Sequence, residues 1–198
     1  MTPFTRRSTF SHIYKSRYFA RGISSLLLLL LSSFVLSSEV FFSPEGGIQD
    51  QIIKHINLSQ SSIDVAVYSF TSGDIAEALG NAAKRGVKIR VIRDASQSSE
   101  KNDENSYLRQ AGIPVEIRAG RGRGIMHDKF AVFDNALVFT GSYNWTNNAE
   151  HQNWENALFT DDPKVIQAYN AQFAVLWAAP PRTIKKKTYK HKLPRVSY

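Results

Sequence analysis

Hydrophobic positions along the chain repeat with a helical period in some segments and with a period of two in others. Residues 46–58 carry isoleucines three and four positions apart, a spacing that places them on one face of a helix. Residues 62–70 form a β-branched run with alternating faces, which predicts a strand. The remaining pattern predicts helices at residues 75–85, 106–111 and 163–177, and strands at residues 87–93, 115–117 and 155–159.

The central stretch, residues 127–142, has the composition of a β-hairpin. Phe130 and Val132 mark a first strand, because aromatic and β-branched side chains favour a pleated surface. Asn135 is a turn residue, and residues 136–140 predict a second strand. The hairpin would return the chain after residue 140 to the level of residue 127.

The order of these elements indicates the fold class. Strands and helices alternate through the first half of the chain, and a hairpin fills the second half. This order predicts an α/β fold, in which a layered, mixed β-sheet is flanked by helices. Residues 94–105 are polar and predict a mobile loop. The sequence contains no internal repeat.

Composition narrows the possible chemistry. A chain of 198 residues with 42% hydrophobic content is long enough for one domain with a full core. It contains no cysteine, which excludes disulfides, thiol catalysis and cysteine-based zinc sites. No histidine and carboxylate pattern such as HExxH is present, so no metal or other cofactor is expected.

The formal net charge of +8 is concentrated in the two ends of the chain. Residues 1–38 hold five basic and no acidic side chains, and residues 182–198 hold seven basic and none acidic. The central domain predicted at residues 39–181 has thirteen basic against seventeen acidic side chains, a net charge of −4. The overall charge is therefore not evidence that the domain itself binds nucleic acid.

The two ends have different predicted roles. Residues 1–38 combine a basic start with an apolar run at residues 23–36, which predicts a signal peptide cleaved after Ser37 or Ser38. The protein would then be periplasmic or secreted, and an uncleaved N-terminal membrane anchor is the alternative. Residues 182–198 predict a disordered basic tail. That tail would contact nucleic acid or an anionic membrane surface, or serve only as a solubilising terminus.

The polar residues of the central hairpin suggest a phosphate site. His127 and Lys129 are two positions apart, so they would project from the same face of a strand. Gly141 lets a backbone approach a ligand closely, and Ser142 and Asn144 add hydrogen-bond donors. A titratable imidazole, a fixed cation and small donors together suit a phosphate group.

The spacing His127-x-Lys129-x4-Asp134-x6-Gly141-Ser142-x-Asn144 resembles the HxK(x)4D(x)6GSxN motif of the phospholipase D superfamily. The single motif copy, the Y-S-F-T stretch at residues 68–71 and the later Glu155 resemble the small bacterial Nuc-type endonucleases. The resemblance covers roughly residues 41–178. It implies a phospholipase D-like fold with one motif per chain.

The resemblance also implies roles for the site residues. His127 would be the nucleophile and form a phosphohistidine, and Lys129 would offset the charge on the phosphate oxygens. Ser142 and Asn144 would donate hydrogen bonds to the same oxygens. Glu155 would hold the second ring nitrogen of the histidine, as in the Nuc-type relatives.

Two further residues of the motif have expected structural roles. Asp134 lies seven positions after the histidine and should face away from it along one strand, so we expect it to support the structure. We give Gly141 the same supporting role.

Three arginines precede the histidine in a glycine-rich loop, and they are candidates for binding a polyanion: Arg118, Arg121 and Arg123. One motif supplies one histidine, whereas the chemistry needs a nucleophile and an acid. The resemblance therefore implies a homodimer with the active site at its two-fold interface.

Two activities fit these residues. The leading expectation is a metal-independent, non-specific endonuclease on DNA or RNA. The alternative is a phospholipase D that hydrolyses the head groups of phosphatidylcholine or cardiolipin.

Overall fold

The computed structural model describes residues 37–98 and 104–181, so the predicted leader, the basic tail and part of the polar loop lie outside the described residues. Seven strands and five helices follow one another along this part of the chain. In chain order they are β1 (Ser38–Ser43), α1 (Ile48–Leu58), β2 (Ser62–Val67), α2 (Gly73–Lys84), β3 (Lys88–Asp94), α3 (Asn105–Gln110), β4 (Val115–Arg118), β5 (Lys129–Phe133), β6 (Leu137–Gly141), α4 (Asn147–His151), β7 (Glu155–Thr160) and α5 (Pro163–Ala178).

The strands form one mixed sheet in the order β1-β7-β6-β5-β2-β3-β4. β2, β3 and β4 pair in parallel, and the other neighbours pair antiparallel. This arrangement confirms the α/β fold with a mixed sheet. As a result, β2, β3, β4 and β6 all end at one edge of the sheet, and β5 and β7 begin there.

Two hydrophobic clusters lie on opposite faces of the sheet, because neighbouring residues of a strand point to opposite sides. In β2, Val65 belongs to the cluster beneath α1, α2 and α3, whereas Ala66 belongs to the cluster beneath α5. The first cluster is the larger and includes buried side chains from all three helices. Among the described residues, no helix has the length and apolar character needed to cross a membrane.

The predicted helices and strands are present, with ends displaced by a few residues, and two elements were not predicted. β1 is the outermost strand of the sheet on one side, and its Val40 and Phe42 are exposed. In the sequence these residues closely follow the apolar leader, so no change in hydrophobic pattern marks the start of the strand. α4 is five residues long, polar on its first turn and too short to show a helical period.

The predicted hairpin is β5–β6. Asp134 and Asn135 form its turn with φ of 52° and 53°, a backbone conformation that asparagine and aspartate tolerate better than most residues.

Candidate active site

The residues of the predicted phosphate site come together at one edge of the sheet, where β2 and β6 end and β5 and β7 begin. Val67 pairs with Lys129 across β2 and β5, and Gly141 pairs with Ala157 across β6 and β7. Phe130 pairs with Thr140, which brings the start of β5 beside the end of β6. Glu155, the first residue of β7, lies at the same edge.

His127 lies outside the hairpin strand in which it was predicted, because β5 begins at Lys129. Strand alternation therefore does not relate the two side chains. The Lys129 ammonium instead donates a hydrogen bond of 2.8 Å to the backbone carbonyl of His127. The imidazole is exposed, and its ring lies edge-on to Tyr68 with 4.6 Å between ring centroids.

The Lys129 side chain is only 7% exposed and lies 5.0 Å from the centre of the Tyr68 ring. Burial lowers its pKa from the ordinary value, and the charges of Glu155, Asp128 and Asp94 partly offset that effect. In the described part of the chain no carboxylate lies within ion-pair distance of the ammonium. Its charge is therefore available to an anionic ligand.

Glu155 and Ser142 are joined directly. The Ser142 hydroxyl donates a short hydrogen bond to Oε2 of Glu155 and accepts the backbone N–H of Asn156 at 3.1 Å. Oε1 of Glu155 accepts the Asn153 side-chain amide at 3.0 Å. Both carboxylate oxygens are thus engaged, and within the described residues neither is bonded to His127.

Asn144 lies close to the same edge, between β6 and α4. Its Oδ1 accepts the backbone N–H of Ser69 at 3.3 Å. This contact fixes the side-chain oxygen toward the protein and leaves the amide Nδ2 free to donate to a bound anion.

Asp134 lies at the opposite edge of the sheet, in the β5–β6 turn. Its carboxylate accepts the backbone N–H groups of Gln60, Ser61 and Ser62 at 2.7–2.9 Å, together with the Ser61 hydroxyl at 2.8 Å. Burial alone would raise its pKa, but these hydrogen bonds outweigh burial and lower the pKa. Although Asp134 is part of the motif, it therefore does not touch the site.

Gly141 lies where β6 approaches β7 most closely. A Cβ at this position would stand 2.1 Å from the backbone oxygen of Asn156, which is far inside van der Waals contact. The glycine is therefore required for the contact that sets Ser142 beside Glu155.

The structure corrects the prediction that Arg118 binds a polyanion. Its side chain is 4% exposed and donates to the backbone carbonyls of Leu176 and Trp177 at 2.8 Å and 2.7 Å, as well as to Glu116. The guanidinium ties β4 to the end of α5 and cannot reach a ligand. Arg121 and Arg123 remain exposed in the loop that leads to the histidine.

Two residues at the site were not singled out from the sequence. Asp94 ends β3, is fully buried and accepts the backbone N–H of Met126 at 2.7 Å, immediately before the histidine. Its carboxylate also accepts the N–H and the hydroxyl of Ser96. Tyr68, noted only within the Y-S-F-T stretch, forms the aromatic wall. Position at the carboxyl end of a predicted strand was the available signal for both.

Within the described residues, no group of three histidine, aspartate or glutamate side chains is arranged to hold a metal ion. What the site does provide is an exposed imidazole, a buried ammonium and a serine–glutamate pair.

Comparison with known proteins places these features in a family. Residues 52–177 match the family described as "Cardiolipin synthase, PLD-like domain". The mitochondrial cardiolipin hydrolase of Xenopus laevis is 40% identical over 119 residues, which are 60% of this chain and 56% of that protein. The chain thus spans a little over half the length of this curated relative.

Two solved structures share the fold. Nuc from Salmonella typhimurium, a phospholipase D family member, is 33% identical with a TM-score of 0.67, over 72% of this chain and 94% of that one. NucT from Helicobacter pylori is 30% identical with the same TM-score, over 72% and 96%. Since the family match covers well over half of the chain, the protein belongs to the phospholipase D superfamily, a superfamily of phosphodiester hydrolases.

Proposed function

We propose that this protein hydrolyses phosphodiesters through a covalent phosphohistidine on His127. The observation that carries the proposal is the meeting of His127, Lys129 and the Ser142–Glu155 pair at one edge of the sheet. The Lys129 ammonium has no carboxylate partner within ion-pair distance there and can offset charge on the phosphate oxygens.

The reaction has two steps. A ring nitrogen of His127 attacks phosphorus, the bond to the leaving oxygen breaks, and that oxygen takes a proton from a general acid. Water then attacks the phosphohistidine and gives up a proton to the same group, which releases the phosphomonoester and the free imidazole. No step requires a metal ion.

Glu155 is proposed to position His127 after substrate binds. In the free site the Ser142 hydroxyl donates to Glu155. When a bound phosphate oxygen accepts hydrogen bonds from the Ser142 hydroxyl and the Asn144 amide, the hydrogen bond from Ser142 to Glu155 breaks and that carboxylate oxygen becomes free. The carboxylate can then accept a hydrogen bond from the second ring N–H of His127, which stabilises the cationic ring.

The leading substrate is a nucleic acid, either DNA or RNA, cleaved without sequence specificity. Two solved relatives with the same fold carry the names Nuc and NucT. Arg121 and Arg123 are exposed in the loop before the histidine and can pair with a flanking phosphate. The basic tail at residues 182–198 would add sequence-independent attraction.

The alternative substrate is a phospholipid such as phosphatidylcholine or cardiolipin. The Xenopus laevis relative is named a mitochondrial cardiolipin hydrolase. In addition, Trp154 is 90% exposed one residue before Glu155, and Phe42 is 61% exposed on β1. Exposed aromatic rings of this kind favour the boundary between a membrane and water.

The general acid is proposed to be the partner subunit's His127 in a homodimer with the site at its two-fold interface. His55 packs against Phe133 and Phe159, and Phe133 lies at the opposite edge of the sheet. His151 is exposed on α4 and is not followed two positions later by a lysine, as His127 is. A second copy of the chain supplies the missing histidine by symmetry.

We further infer that residues 1–38 direct export to the periplasm or the exterior, with an uncleaved membrane anchor as the alternative. The support is the basic, apolar and small-residue order of that segment. N-terminal sequencing of protein recovered from the expressing cells distinguishes the two, since a start at residue 38 or 39 requires cleavage.

The full chain should be assayed with EDTA present on single- and double-stranded DNA, RNA, and vesicles of phosphatidylcholine or cardiolipin. We expect nucleic acid to be cleaved by the wild type and by His151→Ala, and not by His127→Ala. Lipid turnover without nucleic-acid cleavage would instead establish the phospholipase alternative. Full activity in His127→Ala would reject the mechanism itself.

A further inference from the structure

A cavity of about 550 Å³ opens beside the candidate active site. This volume falls within the usual range for small-molecule pockets. Tyr68 forms one wall, and none of the described residues that line the cavity carries a charge. The lining is dominated by five amide side chains, from which we name it the amide pocket: Gln97, Asn144, Asn147, Asn148 and Asn153.

The amide pocket is continuous with the residues proposed to act on phosphate. The Tyr68 ring on its wall also contacts the His127 imidazole, with 4.6 Å between centroids. Asn153 donates to the Glu155 carboxylate at 3.0 Å. A phosphate bound at Lys129 would therefore place the next group of the same substrate at the mouth of the pocket.

Most of the hydrogen-bonding capacity of the amide pocket is unused. Among the described residues, Gln97, Asn147 and Asn148 make no side-chain hydrogen bond, so each offers both a donor and an acceptor. Asn153 uses only its nitrogen and keeps its oxygen free, whereas the Asn144 oxygen accepts the Ser69 N–H and its nitrogen is the proposed phosphate donor. The pocket thus presents neutral donors and acceptors next to one aromatic face.

This chemistry matches a nucleobase better than the parts of a phospholipid. Amide side chains pair with the donor and acceptor edge of a base, and an aromatic ring stacks on its face. An acyl chain would require an apolar lining, and a choline group would require several aromatic rings or a carboxylate. The described lining offers a single aromatic ring and no carboxylate.

We propose that the amide pocket binds the nucleobase adjacent to the scissile phosphate. The inference rests on the proposed phosphodiesterase function and names nucleic acid as the substrate class. Because the contacts are made to a base edge and a base face, an abasic residue at the same position would lose them.

The test uses two matched oligonucleotides that contain one cleavable phosphodiester among methylphosphonate linkages. In one, the nucleotides on both sides of that phosphate carry bases, and in the other both are abasic. The full chain is compared with the double variant Asn147→Ala/Asn148→Ala. The matched control is Asn57→Ala, an exposed amide on α1 outside the pocket.

We expect the wild type and Asn57→Ala to cleave the base-containing oligonucleotide about tenfold faster in kcat/KM, the effect of a stacked ring with one or two neutral hydrogen bonds. In the double variant this ratio should fall to near one. Because the ratio compares two substrates of one protein, a general loss of folding or chemistry does not change it. A ratio near one in the wild type, or a ratio unchanged in the double variant, overturns the proposal.

Two parallel substrates separate failure of the pocket from failure of the site. Hydrolysis of bis(p-nitrophenyl) phosphate without cleavage of either oligonucleotide would support the phosphodiesterase function and contradict nucleobase binding in the amide pocket. If the wild type hydrolyses phosphatidylglycerol vesicles faster than either oligonucleotide, and the double variant hydrolyses them more slowly than the wild type, the pocket would hold a polyol head group instead. Hydrolysis of none of these substrates would reject both the pocket and the proposed function.

Discussion

At the scale of single residues, the site contains one charge, the Lys129 ammonium, that is buried without a counter-ion in the described chain. Lys129 is 7% exposed, yet its ammonium is held by a backbone carbonyl and the Tyr68 ring rather than by a carboxylate at ion-pair distance in the described chain. Keeping a cation in such surroundings is costly, which agrees with the lowered pKa. The arrangement is useful only if an anion binds there.

Asp94 is the residue that we expect to position His127 through the backbone. One oxygen of the buried carboxylate accepts the Met126 N–H and the other accepts the Ser96 N–H, so an amide, with a single oxygen, would turn a donor toward one of these two N–H groups. Asp94→Asn should lower kcat about 10- to 100-fold with KM nearly unchanged, as expected when a nucleophile is displaced slightly. Steady-state kinetics well below the unfolding temperature test this. Asp50→Asn, an exposed aspartate on α1, is the control, and equal losses in both variants would contradict the role.

Asp134 should be important for stability and not for chemistry. Asp134→Asn keeps the turn conformation but weakens four hydrogen bonds to a charged group, which should cost about 1.5–3 kcal/mol of unfolding free energy. Below the unfolding temperature kcat should stay within about threefold of wild type, since the residue lies at the opposite sheet edge. Urea unfolding and kinetics on one preparation measure both. A large loss of kcat in a stably folded variant would show that Asp134 acts in the site.

The stability that Asp134 provides should also depend on pH. Its pKa is lowered in the folded protein relative to 3.8 in the unfolded chain. The contribution is therefore fully present above pH 3.8 and is lost as the pH falls through the lowered folded value. The difference in unfolding free energy between wild type and Asp134→Asn should shrink over that acidic window. A difference that is constant with pH would mean that the charge is not involved.

At the scale of elements, the contact between β6 and β7 sets the geometry of the site. β6 ends at Gly141 and β7 begins at Glu155, so Ser142, which directly follows β6, meets the carboxylate of the first residue of β7 at the sheet edge. The close approach depends on the absence of a side chain at Gly141. A motif glycine is thus a packing requirement of the sheet.

Gly141→Ala should consequently disrupt the sheet. Its Cβ would meet the Asn156 backbone oxygen at 2.1 Å, and backbone cannot move aside cheaply, so we expect a loss of at least about 3 kcal/mol or failure to fold. Gly73→Ala is the control, since a Cβ there meets nothing within 4 Å and alanine favours a helix. Thermal unfolding of both variants provides the comparison, and a Gly141→Ala protein as stable as wild type would contradict the packing argument.

At the scale of the whole molecule, the two faces of the sheet are covered unequally. The cluster beneath α1, α2 and α3 is large, whereas α5 packs on β2, β5 and β6, and no other described helix covers that face at β1. Val40 and Phe42 project from β1, and Trp154 precedes β7, with exposed fractions of 55%, 61% and 90%. This uncovered apolar surface lies beside Glu155 and is where we place the second copy of the chain.

We therefore expect the full-length protein to be a dimer, and Trp154→Ser to shift it toward monomer with a parallel loss of hydrolysis. Removing an exposed aromatic anchor from the centre of an interface commonly costs about 2 kcal/mol or more of binding free energy, a thirtyfold rise in Kd. Light scattering and activity over a range of protein concentrations test both effects. Val175→Ser, an exposed apolar residue on α5, is the control, and a fully active monomer would contradict the dimer.

Local patterns were sufficient for most of the fold and for the family. The isoleucine spacing of α1, the alternation of β2 and the hairpin around Asn135 are short-range signals, because each depends on residues within one element. The motif spacing likewise identified His127 and Lys129 as a pair. The sequence patterns did not predict β1 and α4, because an exposed outermost strand and a five-residue helix show too little hydrophobic periodicity.

The sequence by itself determined the order of elements, the mixed sheet and the residues that make up a phosphodiesterase motif. The tertiary structure decided what each of them contacts. It turned Arg118 away from any ligand, set Asp134 at the far edge and joined Glu155 to Ser142. These outcomes depend on strand register and on burial between distant segments, which are properties of the assembled sheet that no single segment encodes.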